Sequence, residues 1–182
     1  MCSSDLDGVV PDVMTVGKGM GGGFPLSAVV SSDDLTGRAP WSNPSASSSS
    51  YGGNPLAAAA GLATLEILLK EDLVRNAERV GKVMLARLEA LKEKHRCVGE
   101  VRGKGLMLGI ELVNDRQTKE PLARETTRAL YQECLRRGLV AMTYSPSIRI
   151  NPPLVIREDT ALAGLAILDE ALEAVGRAHG LH

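Results

Sequence analysis

Aromatic residues are scarce in this chain: one Trp, one Phe and three Tyr make up 3% of its 182 residues. Any core must therefore be assembled from Ala, Val, Leu and Ile. An excess of charge is also missing. Lys and Arg number 21 against 22 Asp and Glu, a formal net charge of −1. That balance gives no electrostatic footprint for nucleic acid and no basic face for anionic lipid. The cysteines, Cys2, Cys97 and Cys134, are odd in number and far apart. They form neither a disulfide framework nor a zinc site, and they suit a reducing, cytoplasmic setting. The longest apolar run, Leu56 to Leu65, is too short and too rich in Ala to span a bilayer. Met1 is followed by Cys-Ser-Ser-Asp, not by the basic and then apolar stretch of a secretory signal. What remains is ordinary globular composition, 44% hydrophobic and 24% charged, in a chain long enough for one domain or one and a half.

Four zones can be separated. Residues 1–24 are rich in Gly and hold one lysine, within Thr15-Val16-Gly17-Lys18-Gly19-Met20-Gly21-Gly22-Gly23. Leu26 to Ser31 reads as a short buried strand, and a loop follows to Asn54. The four serines 47–50 have the composition of a flexible linker. The adjoining Tyr51-Gly52-Gly53 and a helix start argue instead for an ordered binding loop. That helix start is well marked, by Asn54 as N-cap and Pro55 at the first helical position. From Leu56 to Leu69 apolar residues lie all round the helix, which predicts burial, whereas Leu73 to Lys94 has one wet face. Beyond, Val98–Val113, Leu139–Tyr144 and Ile148–Asn151 read as strands, and Leu122–Arg137 and Asp159–Val175 as amphipathic helices. The fold class expected is α/β or α+β, with a small C-terminal domain after about residue 75.

Lys18 sits between glycines, and several chemistries use such a lysine. A phosphate loop fails, because Asp12 occupies the position of its first Gly and Gly19 that of its Ser or Thr. Gly17, Gly19 and Gly22 satisfy the dinucleotide spacing literally, but a strand-like run follows where a helix should open. A solvated lysine on a Gly-rich turn is the plainest alternative. A lysine that attacks a carbonyl carbon fits the composition better, since surrounding glycines let a planar cofactor approach the backbone. Ser50-Tyr51-Gly52-Gly53-Asn54-Pro55 then places a hydroxyl and backbone N–H groups at a helix N-terminus, which suits a phosphate or carboxylate. Alone, that segment reads as an ordinary capping loop. A lysine loop followed by an anion loop suggests a cofactor with both a carbonyl and a phosphate, as in pyridoxal 5′-phosphate.

These residues resemble a known family. Pro11-Asp12-Val13-Met14-Thr15-Val16-Gly17-Lys18-Gly19-Met20-Gly21-Gly22-Gly23-Phe24-Pro25-Leu26-Ser27-Ala28 is similar to the cofactor-lysine segment of class III aminotransferases, pyridoxal-phosphate enzymes of fold type I. Tyr51-Gly52-Gly53-Asn54-Pro55-Leu56-Ala57 resembles their phosphate-loop segment. Val101-Arg102-Gly103-Lys104-Gly105-Leu106-Met107 resembles the first strand of their small domain, and Ile148-Arg149-Ile150-Asn151-Pro152-Pro153-Leu154 their substrate-carboxylate segment. The resemblance implies residues 1–75 as a remnant of the large cofactor-binding domain and 76–182 as the small α+β domain. It implies Lys18 as the residue that binds the cofactor covalently and moves a proton between substrate and cofactor. Ser50 stands where the family usually has Thr, whose hydroxyl binds the phosphate of the partner subunit's cofactor. Arg149 stands at the arginine that holds a substrate carboxylate, and an amino donor, a 2-oxo acid acceptor and a homodimer follow. His95, His179 and His182 read as solvated and uninvolved.

The chain also departs from the family. Only 17 residues precede Lys18, and none resembles the Asp-Glu-Val segment whose Asp pairs with the cofactor's pyridine nitrogen; Asp5, Asp7 and Asp12 lie in other contexts. Met1 to Leu6 is what the end of a common sequencing adapter encodes when GTG serves as the start. Residues 1–6 are therefore expected to be foreign, with the frame truncated and the fragment inactive by itself. A lyase or aminomutase of the same fold shares all four segments. A nucleotide-binding α/β module and a non-catalytic interaction protein are the alternatives outside the cofactor class.

Overall fold

The computed structural model describes residues 8–46, 48–144 and 146–181, so the expectation about residues 1–6 lies outside the described part. Two compact units divide the chain, the first ending at Asp72 and the second beginning at Leu73.

In the first unit, β1 (Val13–Val16) pairs antiparallel with β2 (Ala28–Ser31), Val16 opposite Ala28 and Val13 opposite Ser31. Lys18–Gly21 forms one 3₁₀ turn at the tip of this hairpin. A single helical turn, α1 (Asp33–Thr36), follows β2, and α2 runs from Pro55 to Lys70. Two expectations are corrected here. The strand begins two residues later than Leu26 and is not buried, with Val29 and Val30 about half-exposed. Helix α2 is not buried either: only Ala57 and Gly61 are, while Leu62 and Leu69 are 59% and 82% exposed. An all-apolar helix is buried only if something covers every side, and the first unit covers one side.

The second unit is helices packed on one face of an antiparallel sheet. Its strands are β3 (Val98–Lys104), β4 (Met107–Asp115), β5 (Glu120–Pro121), β6 (Met142–Tyr144) and β7 (Ser147–Ile150). The sheet order is β3-β4-β7-β6, with β5 on the outer half of β4. Three helices, α3 (Leu73–Lys94), α4 (Arg124–Arg136) and α5 (Glu158–His179), accompany it. The inward residues Val101, Leu108, Ile110 and Ile148 meet Leu88, Leu91, Leu130, Leu168 and Leu172, an aliphatic core as the composition requires. Helix α4 ends on Arg136-Arg137-Gly138, cations in and just after the last turn and glycine beyond them, with Gly138 at φ +90° and the Leu139 N–H returning to the Cys134 carbonyl at 2.9 Å. Cys97 and Cys134 are buried and unbridged; burial pushes both thiols up, Cys134 to about 11.

His95 corrects a further expectation. It is buried, and its Nε2 lies 2.7 Å from Asp169 Oδ1 on α5. Asp169 also accepts from Lys94 Nζ at 2.7 Å and from an Arg87 terminal nitrogen at 3.0 Å. Burial pushes this carboxyl up, but the hydrogen bonds from Lys94 and His95 and their charges outweigh it and hold it below the usual range. A depressed carboxylate stabilises the fold above its unfolded pKa and loses that contribution as pH falls through the folded value. Asp169→Asn should therefore cost about 1–2 kcal/mol at neutral pH, since Lys94 and Arg87 are half-exposed and their attraction is screened. The difference from the parent chain should vanish in acid. Urea unfolding of both chains at two pH values checks this.

Candidate active site

Lys18 owes its position to the hairpin. Gly17 is extended at φ −171°, Lys18 itself takes φ +52°, and Gly22 closes the turn at φ +60°. A non-Gly residue at positive φ is uncommon and marks a position over-determined by its surroundings. Those surroundings are α2. A Cβ on Gly61 would stand 2.6 Å from Leu26 Cδ2, and one on Gly22 would stand 2.9 Å from Thr64 Oγ1. The lysine loop is thus seated on the middle of α2. Lys18 is exposed, and a Cβ on Gly19 or Gly23 would meet nothing within 4 Å, so the approach to it is open.

The same helix carries the second loop at its N-terminus. Asn54 Oδ1 accepts from the Ala57 N–H at 2.9 Å, the N-cap read from the sequence, and Asn54 Nδ2 donates to the Tyr51 carbonyl at 2.9 Å. Gly52 N–H donates to the Ser49 carbonyl at 3.1 Å and Asn54 N–H to the Tyr51 carbonyl at 3.2 Å. Two successive turns therefore present Ser50 and Tyr51, both exposed, beside the positive end of a 16-residue helix. This is an ordered loop, not a linker. Along the axis, the Gly61 seat lies about 9 Å from Pro55 at 1.5 Å per residue. One helix thus positions both the lysine loop and the anion loop. Asn54→Ala should cost about 1 kcal/mol and loosen the turns that carry Ser50. Thermal unfolding together with amide exchange at residues 50–53 measures both effects.

Arg149 lies in the second unit, on β7, exposed, between Ile148 and Ile150, which face the helices. Its cross-strand neighbours are Gly109 on β4 and Met142 on β6. A groove of about 580 Å³ opens beside it, lined mainly by apolar residues such as Leu139, Val140, Ile150 and Leu165. Arg149 is its one charged residue among those described. Lys18 and Ser50 thus share one unit, and Arg149 belongs to the other. His179 is exposed near the end of α5. Among the described residues no group of three or more His, Cys, Asp or Glu could hold a metal ion, and no helix is long and apolar enough to cross a membrane.

With this arrangement in view, comparison with known proteins is informative. The model of the family "Aminotransferase class-III" matches residues 1–172, and the chain belongs to that family. It is 39% identical over 168 residues to a leucine/methionine racemase of Thermococcus litoralis, covering 92% of this chain and 37% of the relative. It is 38% identical over 169 residues to an acetylornithine aminotransferase of Caldanaerobacter subterraneus subsp. tengcongensis, covering 92% and 39%. Among solved structures, an amine transaminase from an uncultivated Pseudomonas species, in its PLP-bound internal aldimine form, superposes with a TM-score of 0.88 at 34% identity. That match covers 95% of this chain and 40% of the transaminase. The mixed α/β fold is therefore that of the aminotransferases, and the chain spans about two fifths of the length of these proteins.

Proposed function

We propose that this chain supplies the cofactor lysine, the phosphate loop and a substrate arginine of a pyridoxal 5′-phosphate-dependent aminotransferase. Such an enzyme transfers an amino group from an amino acid or ω-amine to a 2-oxo acid. The observation that carries the reading is the pairing of an open, glycine-flanked lysine with a capped anion loop on one helix, α2. The residues fit the cofactor. Lys18 Nζ would hold its aldehyde carbon, and the Ser50 hydroxyl with the N–H groups at the start of α2 would hold its phosphate. When bound, the cofactor supplies an electron sink for the carbanion at the substrate carbon. Lys18 would also hold and move the proton at that carbon. Arg149 orients the substrate through a two-pronged contact to its carboxylate, a task for which a planar guanidinium is suited.

On this reading residues up to about 75 belong to the large cofactor-binding domain and the remainder to the small domain. The enzyme works as a cytoplasmic homodimer with Ser50 serving the partner's cofactor. A second reading has the same cofactor site used without net amino transfer, and the racemase relative favours it. Replacing the matching segment of the Pseudomonas amine transaminase with this chain tests the proposal. Conversion of bound cofactor to its pyridoxamine form by an amine, followed by transfer to a 2-oxo acid, supports it. A folded, cofactor-loaded chimera with no transfer contradicts it, and optical inversion of an amino acid without transfer supports the second reading.

A further inference from the structure

Leu26 stands between the lysine turn and α2. Residues 17–24 form three successive turns, closed by the Met20 N–H to the Gly17 carbonyl at 3.2 Å, the Gly22 N–H to that of Gly19 at 3.1 Å and the Phe24 N–H to that of Gly21 at 3.0 Å. A segment tied in this way moves as one piece, so a push on Gly21 or Gly22 reaches Lys18. Leu26 bears on the first of these. A Cβ at the buried Gly21 would stand 3.2 Å from Leu26 Cβ, and one at Gly61 on α2 would stand 2.6 Å from Leu26 Cδ2. The side chain is therefore wedged, its stem against the turn and its methyl end against the helix. Gly22, at φ +60°, makes the second contact, because a Cβ there would stand 2.9 Å from Thr64 Oγ1. The Thr64 hydroxyl donates back to the Ala60 carbonyl at 2.8 Å, which fixes that oxygen in place.

Gly61 is not what α2 itself asks for. It follows four alanines, Ala57 to Ala60, in the interior of a helix, where alanine is the better helix former. Its φ lies outside the left-handed range, so the backbone there does not require glycine. Among the described residues, Leu26 Cδ2 is the one atom beyond the helix's own backbone that a Cβ at residue 61 would meet within 4 Å. Glycine at this position makes room for the wedge. We infer that Gly61 and Leu26 are positioning residues: together they set how the lysine turn stands on α2, and so where Lys18 presents its amine to the cofactor's aldehyde carbon. This inference rests on the reading of Lys18 as the cofactor lysine. A spacer one carbon too thick or too thin shifts that amine, and a misplacement of about 1 Å costs up to about 100-fold in rate.

Four chains separate this from a merely structural role: the parent, Gly61→Ala, Leu26→Val and the two changes together. Each full chain is treated with pyridoxal 5′-phosphate below one equivalent, reduced with borohydride and digested. Mass spectrometry then gives the ratio of label on Lys18 to label on the exposed Lys82, and thermal unfolding is followed in parallel. Gly61→Ala should lower the Lys18 ratio about tenfold. It should melt no lower than the parent, because alanine favours the helix. Leu26→Val, which shortens the wedge, should lower the ratio by less, and it carries the test if Gly61→Ala does not fold. The pair should restore most of the ratio, since the added methyl group fills the space that the lost Leu26 methyl leaves. An unchanged ratio in both single variants, or a loss that follows the melting temperature and persists in the pair, would overturn the inference while Lys18 stands as the cofactor lysine. A parent chain with no preference for Lys18 would overturn both.

Discussion

Replacing Gly81 with alanine should unfold the second unit at far lower denaturant than the parent. By helix propensity alone the change would be favourable, by up to about 1 kcal/mol, because Gly81 lies inside the long helix α3. Packing reverses the sign. A Cβ at residue 81 would stand 2.1 Å from the Gly105 carbonyl oxygen and 2.3 Å from its carbon. Nothing there can yield cheaply. Gly105 opens the two-residue turn between Lys104 and Met107, at φ +52°, and Gly103 just before it is held at φ +155°. The helix must instead lift from the hairpin, which opens the core at Val80 and Met84 and at the adjoining Leu106. A cost of at least about 3 kcal/mol follows, at the upper end of overpacking effects. The urea midpoint by circular dichroism measures it, and a parent-like midpoint would show that α3 does not bear on the turn.

Lys18→Ala should remove amino transfer while leaving the fold intact. The lysine is exposed and lies at a hairpin tip, so truncating it removes no core contact. It also replaces a residue at φ +52°, where alanine fares no better, so the melting temperature should change little. In the chimera with the Pseudomonas transaminase the rate of amino transfer should fall at least about 10³-fold, because one amine both holds the cofactor and moves the substrate proton. Added methylamine should restore part of the proton transfer. A chimera that keeps its rate after this change would remove Lys18 from the mechanism.

Features set by neighbouring residues were legible in the sequence; those set by distant ones were not. The Asn54-Pro55 helix start, the Arg136-Arg137-Gly138 stop and the wet face of Leu73–Lys94 depend on residues within a few positions of each other, and the structure has all three. The burial of His95 is of the opposite kind. Its partner Asp169 is 74 positions away, and no local pattern announces that pair. The exposure of α2 is not legible locally, because composition tells which faces are apolar and not which are covered. The lysine loop stood out because lysine among glycines is locally odd. Its seat on Gly61 and Thr64 depends on a tertiary contact.

The most direct measurement of the central claim is to treat the full chain with pyridoxal 5′-phosphate, reduce it with borohydride, and map the modified lysines by mass spectrometry of the digest. The account predicts a phosphopyridoxyl group on Lys18 at substoichiometric cofactor, ahead of exposed lysines such as Lys82, and a weakened preference for Lys18 in Ser50→Ala. Modification spread evenly over the lysines, or concentrated on one outside the hairpin tip, would contradict it.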